Sequence, residues 1–176
     1  MTLMKRGEAL IDVTDQSKRR RAILAALALV LAASPAVALS ADTHAIANPE
    51  ARPFGSPDTA QADVAAAMAR AKANGHRVIL VFGANWCHDS RALAGWFATP
   101  RFASMLASRY EIVWIDVGQK DRNLDLARRF GLDGIKGTPT VLVTDAAGKP
   151  LNLKDAPRWR DASTRRENSI YDYFAR

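Results

Sequence analysis

Apolar residues along the chain follow two rhythms, and the switching between them predicts an α/β domain. Val64, Met68 and Ala71 recur at helical spacing between Ser56-Pro57-Asp58 and Asn74-Gly75. Serine suits an N-cap, proline the first turn, aspartate the positive end of the dipole and Asn-Gly the exit, so a helix is expected here. Val78-Ile-Leu-Val-Phe82 is instead an unbroken apolar run, which suits a strand buried on both faces. A second helix is predicted from Trp86 or Cys87 through Leu93 and Phe97. Pro100 kinks or restarts it, and Phe102, Met105 and Leu106 prolong its apolar face.

Glu111 to Val117 reads as the next strand, Leu124 to Phe130 as a short helix stopped by Gly131, and Thr140 to Thr144 as a further strand. Ala146-Ala-Gly148-Lys149 is a turn expected to lead into a short edge strand near Leu151. Thr164-Arg-Arg-Glu167 has the pattern of a capping box opening a last helix, with Ile170, Tyr171 and Phe174 on its buried side. The order helix, strand, helix, strand, helix, strand, strand, helix implies a central sheet covered on both faces.

Ahead of this domain the pattern changes. Lys18-Arg19-Arg20-Arg21 is followed by an apolar run from Ala22 to Ala33, then by the small-residue sites Ala36-Val37-Ala38 and Leu39-Ser40-Ala41. Residues 1–41 are therefore predicted to be an export signal. Residues 42–56, with Pro49, Pro53, Gly55 and no apolar period, read as a linker, and 57–176 as the domain. An uncleaved anchor is the alternative, because Ala22 to Leu39 matches the shortest membrane-spanning helix; Pro35 and the small residues favour cleavage. The arginine run fits a twin-arginine signal only loosely. Either route leads out of the cytoplasm, with the periplasm the expected destination. Membrane contact is expected only through this segment, if it stays attached.

The formal charge is +7 over 176 residues, but without residues 1–41 the count is 19 basic and 15 acidic residues, about +4. Basic and acidic residues are mixed and no aromatic-basic stripe emerges, which excludes nucleic acid as the expected partner. His44, His76 and His88 are scattered and there is one cysteine, so no metal-ligand spacing exists; no cofactor is expected. No phosphate-cradling loop and no Ser-His-Asp pattern is present. The stretch from Lys154 to Arg166 holds Arg158, Arg160, Arg165 and Arg166 around Trp159. It reads as a solvated loop, with a partner surface as the rival reading.

The chemistry points to Cys87, placed where a buried strand hands over to a helix in Phe82-Gly-Ala-Asn-Trp-Cys-His-Asp-Ser90. Backbone N–H groups and the helix dipole stabilise a thiolate at such a place, and cysteines there have pKa values lowered to about 3.5 to 7.5 from about 8.5. A protonated His88 acts in the same sense and Asp89 against it. A free cysteine more often just fills space, yet Asn85, His88, Asp89 and Ser90 do not describe a core position.

The run from Val78 to Ser90 resembles the strand and active-site turn of the thioredoxin superfamily, in which Trp-Cys-x-x-Cys opens the second helix. Phe130-Gly-Leu-Asp-Gly-Ile-Lys-Gly-Thr-Pro-Thr-Val-Leu-Val143 resembles the same family's cis-proline segment. The likeness covers about 58–176 in organisation and is sharpest over 78–90 and 130–145. It implies a thioredoxin-like α/β fold: a central mixed sheet of four to five strands with helices on both faces. It also implies that Pro139 is the cis-proline, that the Thr138 backbone pairs with a bound substrate strand, and that Trp86 lies beside the thiol as a lid.

Two departures accompany the match. Ser90 stands in place of the second, resolving cysteine, one helical turn from Cys87; its hydroxyl is expected to hydrogen-bond the thiolate but cannot form a disulfide. Val81 stands where thioredoxins carry a buried carboxylate serving that second cysteine. The resemblance thus implies a monothiol Cys-x-x-Ser variant that attacks a substrate disulfide and leaves the mixed disulfide for another thiol to resolve. The outcome is isomerisation if that thiol belongs to the substrate, and reduction or exchange otherwise; oxidation to a sulfenic acid sensor is a further route. The candidate catalytic residues are Cys87, Ser90 and His88, and the candidate substrate-binding residues Trp86, Thr138 and Pro139. Partners are expected to be disulfide- or thiol-bearing proteins, with a membrane electron donor behind them. The rival from another class is a redox-inactive module that keeps the fold and binds peptides.

Overall fold

A computed structural model describes residues 48–176; residues 1–41, expected to be an export signal, and residues 42–47 of the expected linker lie outside that range. Ser56 Oγ accepts from the Asp58 N–H at 3.3 Å and opens a 3-10 turn, Pro57–Thr59, which continues into α1, Ala60–Asn74. Gly75 ends α1 at φ +72°, the left-handed conformation that favours glycine. Strand β1 is Arg77–Gly83. Helix α2, His88–Ala98, is separated from α3, Pro100–Ala107, by Thr99 alone. That residue is extended at φ −68°, ψ 148°, because the proline after it disfavours a helical conformation. Strand β2 (Tyr110–Asp116), helix α4 (Leu124–Arg129), strand β3 (Thr140–Thr144) and helix α5 (Glu167–Ala175) follow.

The sheet order is β2-β1-β3, with β1 parallel to β2 and antiparallel to β3. Because successive strand residues face opposite sides, β1 feeds two cores. Val78, Leu80 and Phe82 pack with α1 residues Val64 and Ala67 and with Leu126 and Phe130. Ile79 and Val81 pack with Leu93, Phe97, Phe102, Trp159 and Phe174 on the other face. Every residue from Val78 to Phe82 is fully buried, as the unbroken apolar run required.

Three expectations are corrected. The sheet has three strands among the described residues, not four to five. The edge strand near Leu151 shrinks to one bridge between Thr144 and Pro150, since proline has no N–H to extend a ladder and Asn152 then turns its side chain onto the Val143 N–H. No capping box forms: Thr164 Oγ1 donates to Asp161 O within a 3-10 turn, Ala162–Thr164, and Arg166 caps α5 without a side-chain bond. Ile170 and Phe174 are buried and Tyr171 half-buried against the same core, as expected.

Residues 48–56 do not span open space as a linker would. They lie as an extended strap along α2, with Phe54 buried at 5% exposure and the Ala51 N–H bonded to Arg91 O. Gly95 makes this fit possible, because a Cβ there would overlap the Pro49 carbonyl. Extended backbone rich in proline has no apolar period, so its docking leaves no rhythm in the sequence.

Candidate active site

The site forms at the carboxyl end of β1, where α/β sheets offer a crevice. The pairing of Phe82 with Thr140 determines what meets there: it carries Thr138 and Pro139, just ahead of β3, beside the turn Ala84–Cys87 that leaves β1. The Thr138–Pro139 peptide bond is cis, and both residues are buried. Thr140 Oγ1 donates to Gly137 O at 2.8 Å and fixes the loop that presents them.

Cys87 is the N-cap of α2, with its backbone extended at φ −79°, ψ 121°. Its own N–H bonds to Ala84 O, and its carbonyl accepts the Arg91 N–H, so the turn is closed on both sides. The side chain caps no backbone group. Instead the Sγ–H donates to Thr138 O at 3.3 Å, and the residue keeps 8% of its surface. As the N-cap, Cys87 stands at the end of α2 whose first N–H groups lack intrahelical partners.

Trp86 is half-exposed, at 49%, and its Nε1 donates to Gly118 O at 2.9 Å, so the indole bridges from the thiol turn to the loop after β2. His88 and Ser90 do not join Cys87 as expected. The His88 ring is exposed and its Nδ1 lies 2.7 Å from Glu50 Oε1 on the strap; a carboxylate only accepts, so Nδ1 carries the proton of that bond. Ser90 is fully buried and its hydroxyl has no hydrogen-bond partner. Its Oγ turns toward the end of β1, 2.6 Å from where a Cβ on Gly83 would stand, and the bond expected from it to the sulfur is absent. Asp89, whose charge opposes a thiolate, is engaged elsewhere: Oδ1 accepts from Ser163 N–H at 2.8 Å and Ser163 Oγ at 2.6 Å. Val81 is wholly buried in the apolar core, and no acidic side chain is among the buried described residues.

A set of residues that the sequence did not single out holds the turn. Arg91 Nη1 donates to Trp86 O at 2.9 Å and Asn85 O at 3.2 Å, while its Nε donates to Glu50 Oε2 at 2.9 Å. That bond from Arg91, with its charge and that of His88, holds the Glu50 carboxyl below its ordinary value of 4.5. Arg52 Nη1 adds a bond to Asn85 O at 2.8 Å. The one sequence signal that could have revealed the strap is Phe54, a lone aromatic in a polar stretch.

Comparison with known proteins agrees with this geometry. The thioredoxin-like family description matches residues 59–146, half of the chain. The crystal structure of a disulphide isomerase from Xylella fastidiosa Temecula1 superposes with a TM-score of 0.64 at 35% sequence identity, over 71% of this chain and 95% of that one. No curated protein matches significantly. With the cis-proline loop against a cysteine at a helix start, and with the family match on both sides of it, the chain belongs to the thioredoxin-like family of thiol–disulfide oxidoreductases.

Proposed function

We propose that this protein is an exported monothiol exchange protein acting on disulfides of other proteins through Cys87. The observation that carries the reading is the bond from Cys87 Sγ to Thr138 O beside the cis-Pro139: the sulfur lies against the backbone expected to pair with substrate. The likeness to a disulphide isomerase supports the same chemistry.

Ionisation releases the Sγ–H proton to solvent and frees Thr138 O. The thiolate attacks one sulfur of the incoming disulfide. The substrate S–S bond breaks, its electron pair leaves on the second sulfur as thiolate, and a Cys87–substrate disulfide forms. With Ser90 in the place of a resolving cysteine, that adduct persists until a thiol of the substrate or of another molecule displaces Cys87. Trp86 and the Thr138–Pro139 backbone contact the captured chain; His88 lies at the rim, tied to Glu50.

Scrambled ribonuclease mixed with the fully reduced protein and quenched with acid is the direct test. The expected product is a covalent 1:1 adduct that disappears with dithiothreitol and is absent for Cys87→Ala. A redox-inactive binding module gives no adduct with the wild type. For export, production of the full chain in a Gram-negative host followed by N-terminal sequencing of the periplasmic fraction is expected to give Leu39 or Asp42 first. Recovery of intact Met1 from the cytoplasm alone opposes that part of the reading.

A further inference from the structure

Four arginines flank Trp159 in the sequence, and the structure separates the duties of three of them. Arg165 lies over the Trp159 ring, 4.3 Å from its centroid, with Nε bonded to Asp161 at 2.7 Å; Arg158 pairs with Asp155 at 3.4 Å. Arg160 does neither. Its aliphatic stem crosses Gly137 so closely that a Cβ there would overlap Cδ, and its Nε donates only to Pro157 O at 3.2 Å. Gly137 directly precedes Thr138, whose carbonyl touches the Cys87 sulfur, so the Arg160 side chain lies against the loop that presents Thr138 to the thiol.

On the opposite wall Arg52 is held 2.8 Å from Asn85 O, two residues before Cys87. Neither arginine pairs with a carboxylate among the described residues, and Lys136, exposed beside Gly137, does not either. The acids nearby are mostly spent. Glu50 serves Arg91 and His88, Asp89 serves Ser163, and Asp161 serves Arg165, while the exposed Asp133 pairs with no base among the described residues.

We infer that Arg160 and Arg52 make the rim of the thiol site a docking surface for acidic chains: the preferred partner carries Asp or Glu flanking its disulfide. This rests on the exchange reading above and names its substrate class. Complementary charge around a cleft raises encounter rates by about 10-fold or more at low salt, and the gain is lost when the Debye length falls to about 3 Å near 1 M salt.

The test uses two peptides with a central cysteine blocked as the thionitrobenzoate disulfide, one flanked by glutamates and one by lysines. Attack by Cys87 breaks the peptide–thionitrobenzoate S–S bond, forms the Cys87–peptide disulfide and expels yellow thionitrobenzoate. The wild type is expected to react with the acidic peptide about 10-fold faster than with the basic one at low ionic strength, the ratio falling toward one at about 1 M salt. Arg160→Glu is expected to bring the low-salt ratio to one or below, with Arg160→Gln between. Equal rates for the wild type, or an unchanged ratio in folded Arg160→Glu, overturn the inference while leaving exchange intact. Failure to react with either peptide sinks the exchange reading, and the inference with it.

Discussion

The Asn85 side chain exchanges two hydrogen bonds with the backbone of Phe54: Nδ2 donates to the Phe54 carbonyl at 2.7 Å, and Oδ1 accepts the Phe54 N–H at 3.3 Å. The amide thus supplies what a neighbouring strand would, and joins the strap to the turn that carries Cys87. Both Phe54 groups are part-buried, so removing their partner leaves them undersolvated. Asn85→Ala is expected to cost about 1–3 kcal/mol in urea unfolding. A loss below about 0.5 kcal/mol, within the range of an ordinary surface substitution, contradicts this role.

The close approach of Gly95 to the strap predicts that a single added methyl group loosens it. A methyl group there meets the Pro49 carbonyl and the Glu50 N–H, which are backbone and cannot swing aside as a side chain does. Gly95→Ala improves helix propensity by about 1 kcal/mol, yet overpacking costs about 1–3 kcal/mol. The expected result is a protein of lower or equal stability whose strap is cut by proteases between residues 48 and 56 far faster than the wild type. Unaltered cleavage together with a gain in stability shows that the strap does not pack as described.

The sequence makes the central frame legible and the margins obscure, for a physical reason. Val78–Phe82 and Thr140–Thr144 are fully buried strands whose apolar runs admit few other interpretations, and Cys87 with Pro139 follows from their ends. What pins the turn is chemistry without period: Arg91, Glu50 and Arg52 act through carbonyls and one another, and any of them reads in sequence as an ordinary surface charge. The edge strand failed at Pro150, which has no N–H to extend a ladder, and the capping box at Thr164, whose hydroxyl is taken by the Asp161 carbonyl of a 3-10 turn.

Acid is expected to loosen the strap before it unfolds the core. Arg91, by its hydrogen bond and charge, and His88 lower the Glu50 pKa below 4.5, so the folded protein holds that proton less readily than the unfolded chain. The stabilising contribution is therefore complete above about pH 4.5 and drains away as the pH falls through the lowered value. Hydrogen exchange at the Ala51 amide, bonded to Arg91 O, reads this directly. Its protection factor is expected to fall below pH 4.5 in the wild type, and to be lower and flat across the same range in Glu50→Gln. Parallel profiles for the two proteins remove Glu50 from the explanation.

Ser90 allows structure and chemistry to be tested at one position. Its hydroxyl is fully buried and unpartnered, so the side chain bears the desolvation of a polar group without a bond to offset it. Ser90→Ala removes that group, leaving no partner behind, and is expected to be neutral or to stabilise by about 1 kcal/mol. If the hydroxyl turned to the thiolate in solution, the same variant would also slow iodoacetamide labelling of Cys87; the geometry predicts an unchanged rate. Ser90→Cys asks the opposite question. Three residues along a helix from Cys87, a thiol lies within the usual Cα separation of about 4.4–6.8 Å for a disulfide. It is expected to displace substrates captured on Cys87, so that the ribonuclease adduct no longer accumulates and insulin reduction with dithiothreitol accelerates. Persistence of the adduct in this variant, with the new thiol titrating as free, means that the buried side chain at position 90 is too tightly held to bring the two sulfurs together.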